Sequence, residues 1–362
     1  MKMQKSGLIL VLLMLMAIIT TCSKDNSFST DNVNGPIDNS SNGEWLVPDN
    51  EVFDGGPGKD GIPAISNPQF TGPEEAQYLN GNDFVLGLVL DGVARAYPHS
   101  ILDRHEIVND SSDDLLFAVI YCPLTGTGTG WNRRVLGSIT TFGVSGLLYN
   151  SNIIPYDRDT GSNWSQIMLK AVNGPLKGTN AETFNLFETS WDTWKSMYPE
   201  TRVLSENTGY NRNYRVSPYG DYKTNSAILY PLSNNDDRLD GKERVLGVFV
   251  DNKHKAYSIK NFGSSITLIH ETFNGKDLVV AGSREKNFIV AFRRDARNGR
   301  TLQFTAIENS LPVIMQDSEG TLYDVFGQAV DGPGKGLHLN TITQFMGYWF
   351  AWAAFYPEIE LY

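Results

Sequence analysis

Val85-Leu86-Gly87-Leu88-Val89-Leu90-Asp91, followed by Ala96-Tyr97, is written again 160 residues further on as Val245-Leu246-Gly247-Val248-Phe249-Val250-Asp251 with Ala256-Tyr257. The apolar run, the Asp91-Gly92 turn signal and the second apolar run predict a strand, a tight turn and a second strand. Three further matches follow in the same order. His105-Glu106 and Asn109 match His270-Glu271 and Asn274, and Ala171-Val172-Asn173-Gly174-Pro175 matches Ala329-Val330-Asp331-Gly332-Pro333. Trp191, Trp194 and Tyr198-Pro199-Glu200 match Trp349, Trp352 and Tyr356-Pro357-Glu358. Ordered matches at a nearly constant offset predict two tandem copies of one unit. The fold class expected is α+β, strand-dominated, with a first unit over 44–200, a Tyr- and Asn-rich crossover over 201–243 and a second unit over 244–362.

Within the first unit, strands are expected at Leu115–Tyr121, Ser138–Val144 and Ile153–Tyr156, and a short helix after Pro98. Ser190 is expected to cap a helix that starts at Trp191 and stops before Pro199. The matching last helix, Trp349 to Tyr356, is apolar all round, whereas its partner carries Asp192 and Lys195. A helix without a polar face is expected to be buried between the two units or at a subunit contact.

Ahead of the units, Lys2 and Lys5 precede an apolar run from Leu8 to Ile19, too short to span a bilayer and suited to a signal-peptide core over 1–21. Ile19-Thr20-Thr21-Cys22 resembles a bacterial lipoprotein cleavage box, although Thr21 departs from the usual small residue before the cysteine. Cys22 is therefore the expected lipidation site and 22–43, rich in Ser, Asn and Asp, a flexible tether. The alternative is an ordinary secreted protein with one early cysteine. The expected location is the cell envelope, at the outer membrane or the periplasmic face, with the lipid anchor as the membrane contact. A net charge of −11 and the lack of a Lys/Arg run argue against nucleic acid and anionic lipid as partners.

Of the 2 cysteines, Cys22 is expected to be taken by the anchor, which leaves Cys122 with no intrachain disulfide partner. It ends an apolar strand and opens Pro123-Leu124-Thr125-Gly126-Thr127-Gly128-Thr129-Gly130. A thiolate is a nucleophile, and an imidazole beside it is the usual way to generate one. Cys122 with His105 or His99, and Glu106 or Asp110 orienting the imidazole, is one candidate catalytic group. Backbone N–H groups at Gly126 and Gly128 would then bind an anion, with His99, Asn109 and Asp110 contacting ligand. The same Cys122 and His105 suit copper or zinc as an alternative. Both sit beside plainer readings: a glycine-rich hairpin, and a structural histidine next to a surface acid. A third reading, of a different class, is a non-catalytic envelope binding or scaffold protein that holds a small molecule, peptide or sugar in the cleft between the units.

Several longer stretches carry a resemblance: Ala94-Arg95-Ala96-Tyr97-Pro98, His105-Glu106-Ile107-Val108-Asn109-Asp110, Tyr121-Cys122-Pro123-Leu124, Phe142-Gly143-Val144-Ser145-Gly146-Leu147-Leu148-Tyr149 and Asp157-Arg158-Asp159-Thr160-Gly161-Ser162-Asn163-Trp164-Ser165-Gln166. With them the chain resembles the bacterial family catalogued as domain of unknown function 3179, a likeness that implies architecture and no particular chemistry. Similar members commonly have a second cysteine three positions after the first. Here Thr125 stands there, so a two-cysteine redox or metal motif is not available.

Overall fold

The computed structural model describes residues 44–113, 115–295 and 300–362; the segments expected to be a signal peptide and a tether, and Cys22, lie outside the described residues. Strands dominate, and among the described residues three short α-helices punctuate them: α1 (His99–His105), α2 (Trp191–Met197) and α3 (Trp349–Phe355). Among the described residues no helix is long and apolar enough to cross a membrane.

The hairpin of Phe84–Leu90 and Val93–Pro98 is flanked by Phe187–Ser190, antiparallel to its first strand, and by Arg202–Leu204, parallel to its second. The hairpin of Arg244–Val250 and Lys253–Ser258 is flanked in the same senses by Gln344–Tyr348 and Glu360–Leu361. A meander of Ile107–Ser112, Leu115–Cys122 and Thr127–Asn132 follows the first hairpin, and one of Thr267–Phe273, Lys276–Ser283 and Phe288–Arg293 follows the second. A further antiparallel sheet comes third each time, from Phe142–Tyr149 to Lys170–Asn173 and from Phe304–Ala306 to Ala329–Asp331.

Glycine in both hairpins is there for packing. A methyl group on Gly87 would overlap the Trp194 indole of α2, and one on Gly247 would overlap Trp352 of α3. Ser190 precedes α2 as expected but does not cap it, because its hydroxyl donates to Thr193 Oγ1 at 2.9 Å and accepts no backbone N–H.

Matching side-chain hydrogen bonds relate the strands of the two halves and correct one sequence match. Asp110 accepts from Arg95 Nη1 at 2.8 Å and from the Tyr97 hydroxyl at 2.5 Å, while Glu271 accepts from Lys255 Nζ at 2.5 Å and from the Tyr257 hydroxyl at 2.6 Å. The counterpart of Glu271 is thus Asp110 and not Glu106; the local identity of His105-Glu106 with His270-Glu271 is out of register. Counting along the strands from these pairs, Cys122 opposite Thr127 corresponds to Ser283 opposite Phe288.

The apolar core is continuous across the two halves. Tyr97, Phe117 and Trp194 belong to the same cluster as Phe288, Phe304 and Tyr323, with the Phe187 and Phe288 rings 5.5 Å apart. Most of α3 is buried, against Val245 and Phe345 on one side and Ile167 on the other. Its C-terminal end is tied across as well, since the Tyr356 hydroxyl donates to Ile167 O at 3.0 Å. Residues 205–242 have no strand or helix and run over both halves: Tyr214, Tyr219 and Tyr222 lie on the first, and Leu232 and Leu239 pack with the α3 cluster.

Candidate functional site

Cys122 closes its strand with no exposed surface, its Sγ 3.7 Å from Ser151 O. Burial pushes the thiol up to about 11, with the Glu106 charge adding to the shift and Thr125 opposing it. Near neutral pH it is therefore a thiol, not a nucleophilic thiolate. Thr125, where similar sequences carry the second cysteine, belongs to a buried network. Its hydroxyl is 2.8 Å from that of Thr127 and accepts from Asn152 Nδ2 at 2.9 Å, and Thr127 donates to Gln166 Oε1 at 2.6 Å.

His105, the last residue of α1, has both ring nitrogens occupied: Nδ1 is 2.7 Å from Pro63 O and Nε2 2.7 Å from the Tyr214 hydroxyl. A carbonyl only accepts, so Nδ1 carries the proton and Nε2 accepts from Tyr214. Burial lowers the imidazole to about 4, partly offset by the Pro63 carbonyl. His105 pins the crossover to α1, and neither nitrogen is bonded to Cys122.

Glu106 ends α1 in a left-handed conformation, φ 57°, with its N–H on Leu102 O at 2.7 Å. Its side chain is buried, Oε1 3.5 Å from the Tyr219 hydroxyl and Oε2 without a hydrogen-bond partner among the described residues. Burial lifts this carboxyl to about 8, with Tyr219 opposing and Asp103 reinforcing the shift. It is a neutral acid at pH 7.

Asn109 and Asp110 hold the sheets together. Asn109 clamps Phe142, donating to its O at 2.9 Å and accepting from its N at 2.8 Å, and Asp110 is taken up by Arg95 and Tyr97. The glycine ladder packs closely: Gly126, at φ 61°, faces the Tyr348 ring, and Gly128 faces Leu86. Gly128 is also paired with Tyr121 in the ladder, so it presents no array of free N–H groups.

Of the expected site residues, His99 reaches an opening. It lines a pocket of about 480 Å³ together with Asp103, Lys223, Phe84 and the amides Gln77, Asn80 and Asn82. Its ring stacks on Tyr121 at 4.2 Å, and Nε2 lies 3.4 Å from Glu188 Oε2. The other Glu188 oxygen accepts from Arg244 Nη2 at 2.6 Å. Burial raises the Glu188 carboxyl, but Arg244 and His99 outweigh it and hold the group below its usual value. Burial lowers His99, with Glu188 opposing. Among the described residues neither His99 Nε2 nor Glu188 Oε2 makes a hydrogen bond, so the carboxylate lies against the imidazole at ion-pair distance. Beside it Lys223 Nζ grips both Asp103 oxygens, at 2.8 and 2.7 Å.

Asp103, Glu188, Lys223 and Arg244 were not legible as site residues. Asp103 is four residues after His99, one helical turn, and that spacing was a usable signal. Glu188, Lys223 and Arg244 come from distant strands and the crossover, and nothing local marks them. Among the described residues no three His, Cys, Asp or Glu side chains are grouped to hold a metal ion. Cys122 as a buried thiol and His105 with both nitrogens bonded are a poor donor set for copper or zinc.

Fold and site together define a strand-dominated α+β protein with a buried chain of charged groups behind a polar pocket. Residues 59–359 match the family described as protein of unknown function (DUF3179), and the chain belongs to that family. No curated protein and no solved structure matches it.

Proposed function

We propose that this is a lipid-anchored envelope protein that binds a small polar ligand, a sugar or short peptide, in the His99 pocket, and that His99 exchanges a proton with the ligand. The observation that carries this reading is the His99 imidazole in the wall of a pocket, with Nε2 3.4 Å from the carboxylate of Glu188, which Arg244 holds from its other oxygen. A carboxylate in that position stabilises the imidazolium formed when the ring takes a proton. Amides on the rim both donate and accept, which suits hydroxyl- and amide-rich ligands. Cys122 and His105 serve the packing around this site and not its chemistry.

Calorimetric titration with neutral oligosaccharides and short peptides, run in two buffers of different ionisation enthalpy, tests the proposal. Saturable binding with proton uptake, lost in His99→Gln, is expected. Binding that His99→Gln leaves intact, or no binding across the panel, contradicts it. The anchor is tested separately by labelling cells with an alkynyl fatty acid: label on the wild type and none on Cys22→Ala is expected, and an unlabelled wild type refutes it.

A further inference from the structure

A second cleft, of about 910 Å³, lies between the two halves and differs in character from the His99 pocket. Leu90, Phe184 and Leu186 face it from the first half, and Phe326, Val330 and Ile342 from the second. Leu90, Phe184, Leu186 and Phe326 are only partly buried, although all four pack on the main core. The cleft is held open by a fixed span: Asn185 Nδ2 donates to Ile342 O at 2.8 Å, and its Oδ1 accepts from Gln344 N at 3.2 Å. The strands on either side therefore cannot slide together to cover the apolar walls without breaking that amide clamp.

The charges around the cleft are of one sign. Its carboxylate and imidazole lining groups are Asp91, Glu182, Glu188, Asp324 and His338, and among the described residues no Lys or Arg lines it. Glu188 is neutralised by Arg244, and Asp324 Oδ1 is turned onto the backbone N–H groups of Phe326 and Gln328. His338 Nδ1 is bonded to Leu339 O at 2.8 Å. Among the described residues the Asp91 carboxylate meets the Ser112 hydroxyl alone, at 3.2 Å, and Glu182 is exposed, so these two carboxylates remain to face a ligand. Aromatic faces beside carboxylates attract organic cations.

We propose that this cleft binds a cationic amphiphile, with its hydrocarbon chain between Phe184, Leu186 and Phe326 and its ammonium group near Glu182 and Asp91. Calorimetry with dodecyltrimethylammonium, dodecyl maltoside and dodecyl sulfate, each below its micellar concentration and with circular dichroism as a check on folding, tests it. The expected order of affinity is cation, then neutral, then anion. The double variant Asp91→Asn/Glu182→Gln is expected to weaken the cation about fivefold, as rim charges do, and to leave the neutral amphiphile unchanged. Leu186→Ala is expected to weaken all three. Equal affinity for cation and anion, or a double variant that binds the cation as the wild type does, overturns the proposal. So does the absence of binding by the folded wild type.

Discussion

Cys122 and Glu106 carry the same consequence of burial, since each holds its proton above the ordinary range. The thiol, pushed up to about 11, is expected to stay unreactive towards a disulfide reagent at pH 7 until the protein unfolds. Stopped-flow thiol assays with and without denaturant check this; rapid reaction of folded protein would mean that Cys122 is accessible. For Glu106 the folded carboxyl at about 8 lies above its ordinary 4.5, so the folded state holds a proton that the unfolded state releases. Its contribution to stability is full below pH 4.5 and is lost as pH rises towards 8. Chemical denaturation across that range is expected to show this fall, and Glu106→Gln, neutral at every pH, is expected to flatten it. At this scale the sequence pointed to the right neighbourhood and the wrong atoms. A histidine four residues before Asn109 and another ten before it look alike on paper, and only the partners at Pro63, Tyr214 and Glu188 tell His105 from His99.

At the scale of elements, the hairpins and the helices laid on them depend on contacts too close for any side chain larger than hydrogen. Gly247→Ala would drive a methyl group into Trp352, which α3 and its neighbours hold without exposed surface. A loss of about 3 kcal/mol, typical of overpacking in a tight core, is expected in urea unfolding. A loss near zero would show that α3 can move away. The strands Leu115–Cys122 and Asn152–Asp157 and the helices α1, α2 and α3 were legible because each has a strong apolar period or a proline or glycine boundary. The expected strand Ser138–Val144 is instead divided into Ser138–Ile139 and Phe142–Tyr149, in different sheets. Thr140 donates its N–H to Arg133 O, and Phe142 is taken by Asn109, so the break is made by partners remote in sequence.

On the scale of the whole molecule, one core spans the two halves and backbone bonds join them, with Tyr348 N donating to Thr125 O at 2.8 Å. Calorimetric unfolding is therefore expected to give a single cooperative transition, and two resolved transitions would mean that the halves are separable. That continuity was partly legible, in the all-apolar α3 and the tyrosine-rich crossover. The charged chain was not, because it joins α1, the strand Phe187–Ser190, the crossover and the strand Arg244–Val250, four pieces that no spacing rule connects. The claim that rests on that chain is that His99 is the responsive histidine among the 5. The most direct test is carbon-detected NMR of the histidine rings, titrated with the best-binding oligosaccharide or peptide. The His99 signal is expected to shift on binding and in Glu188→Gln, with the His105 signal unmoved. A His99 signal that ignores every ligand, or a shift confined to His105, would contradict this account.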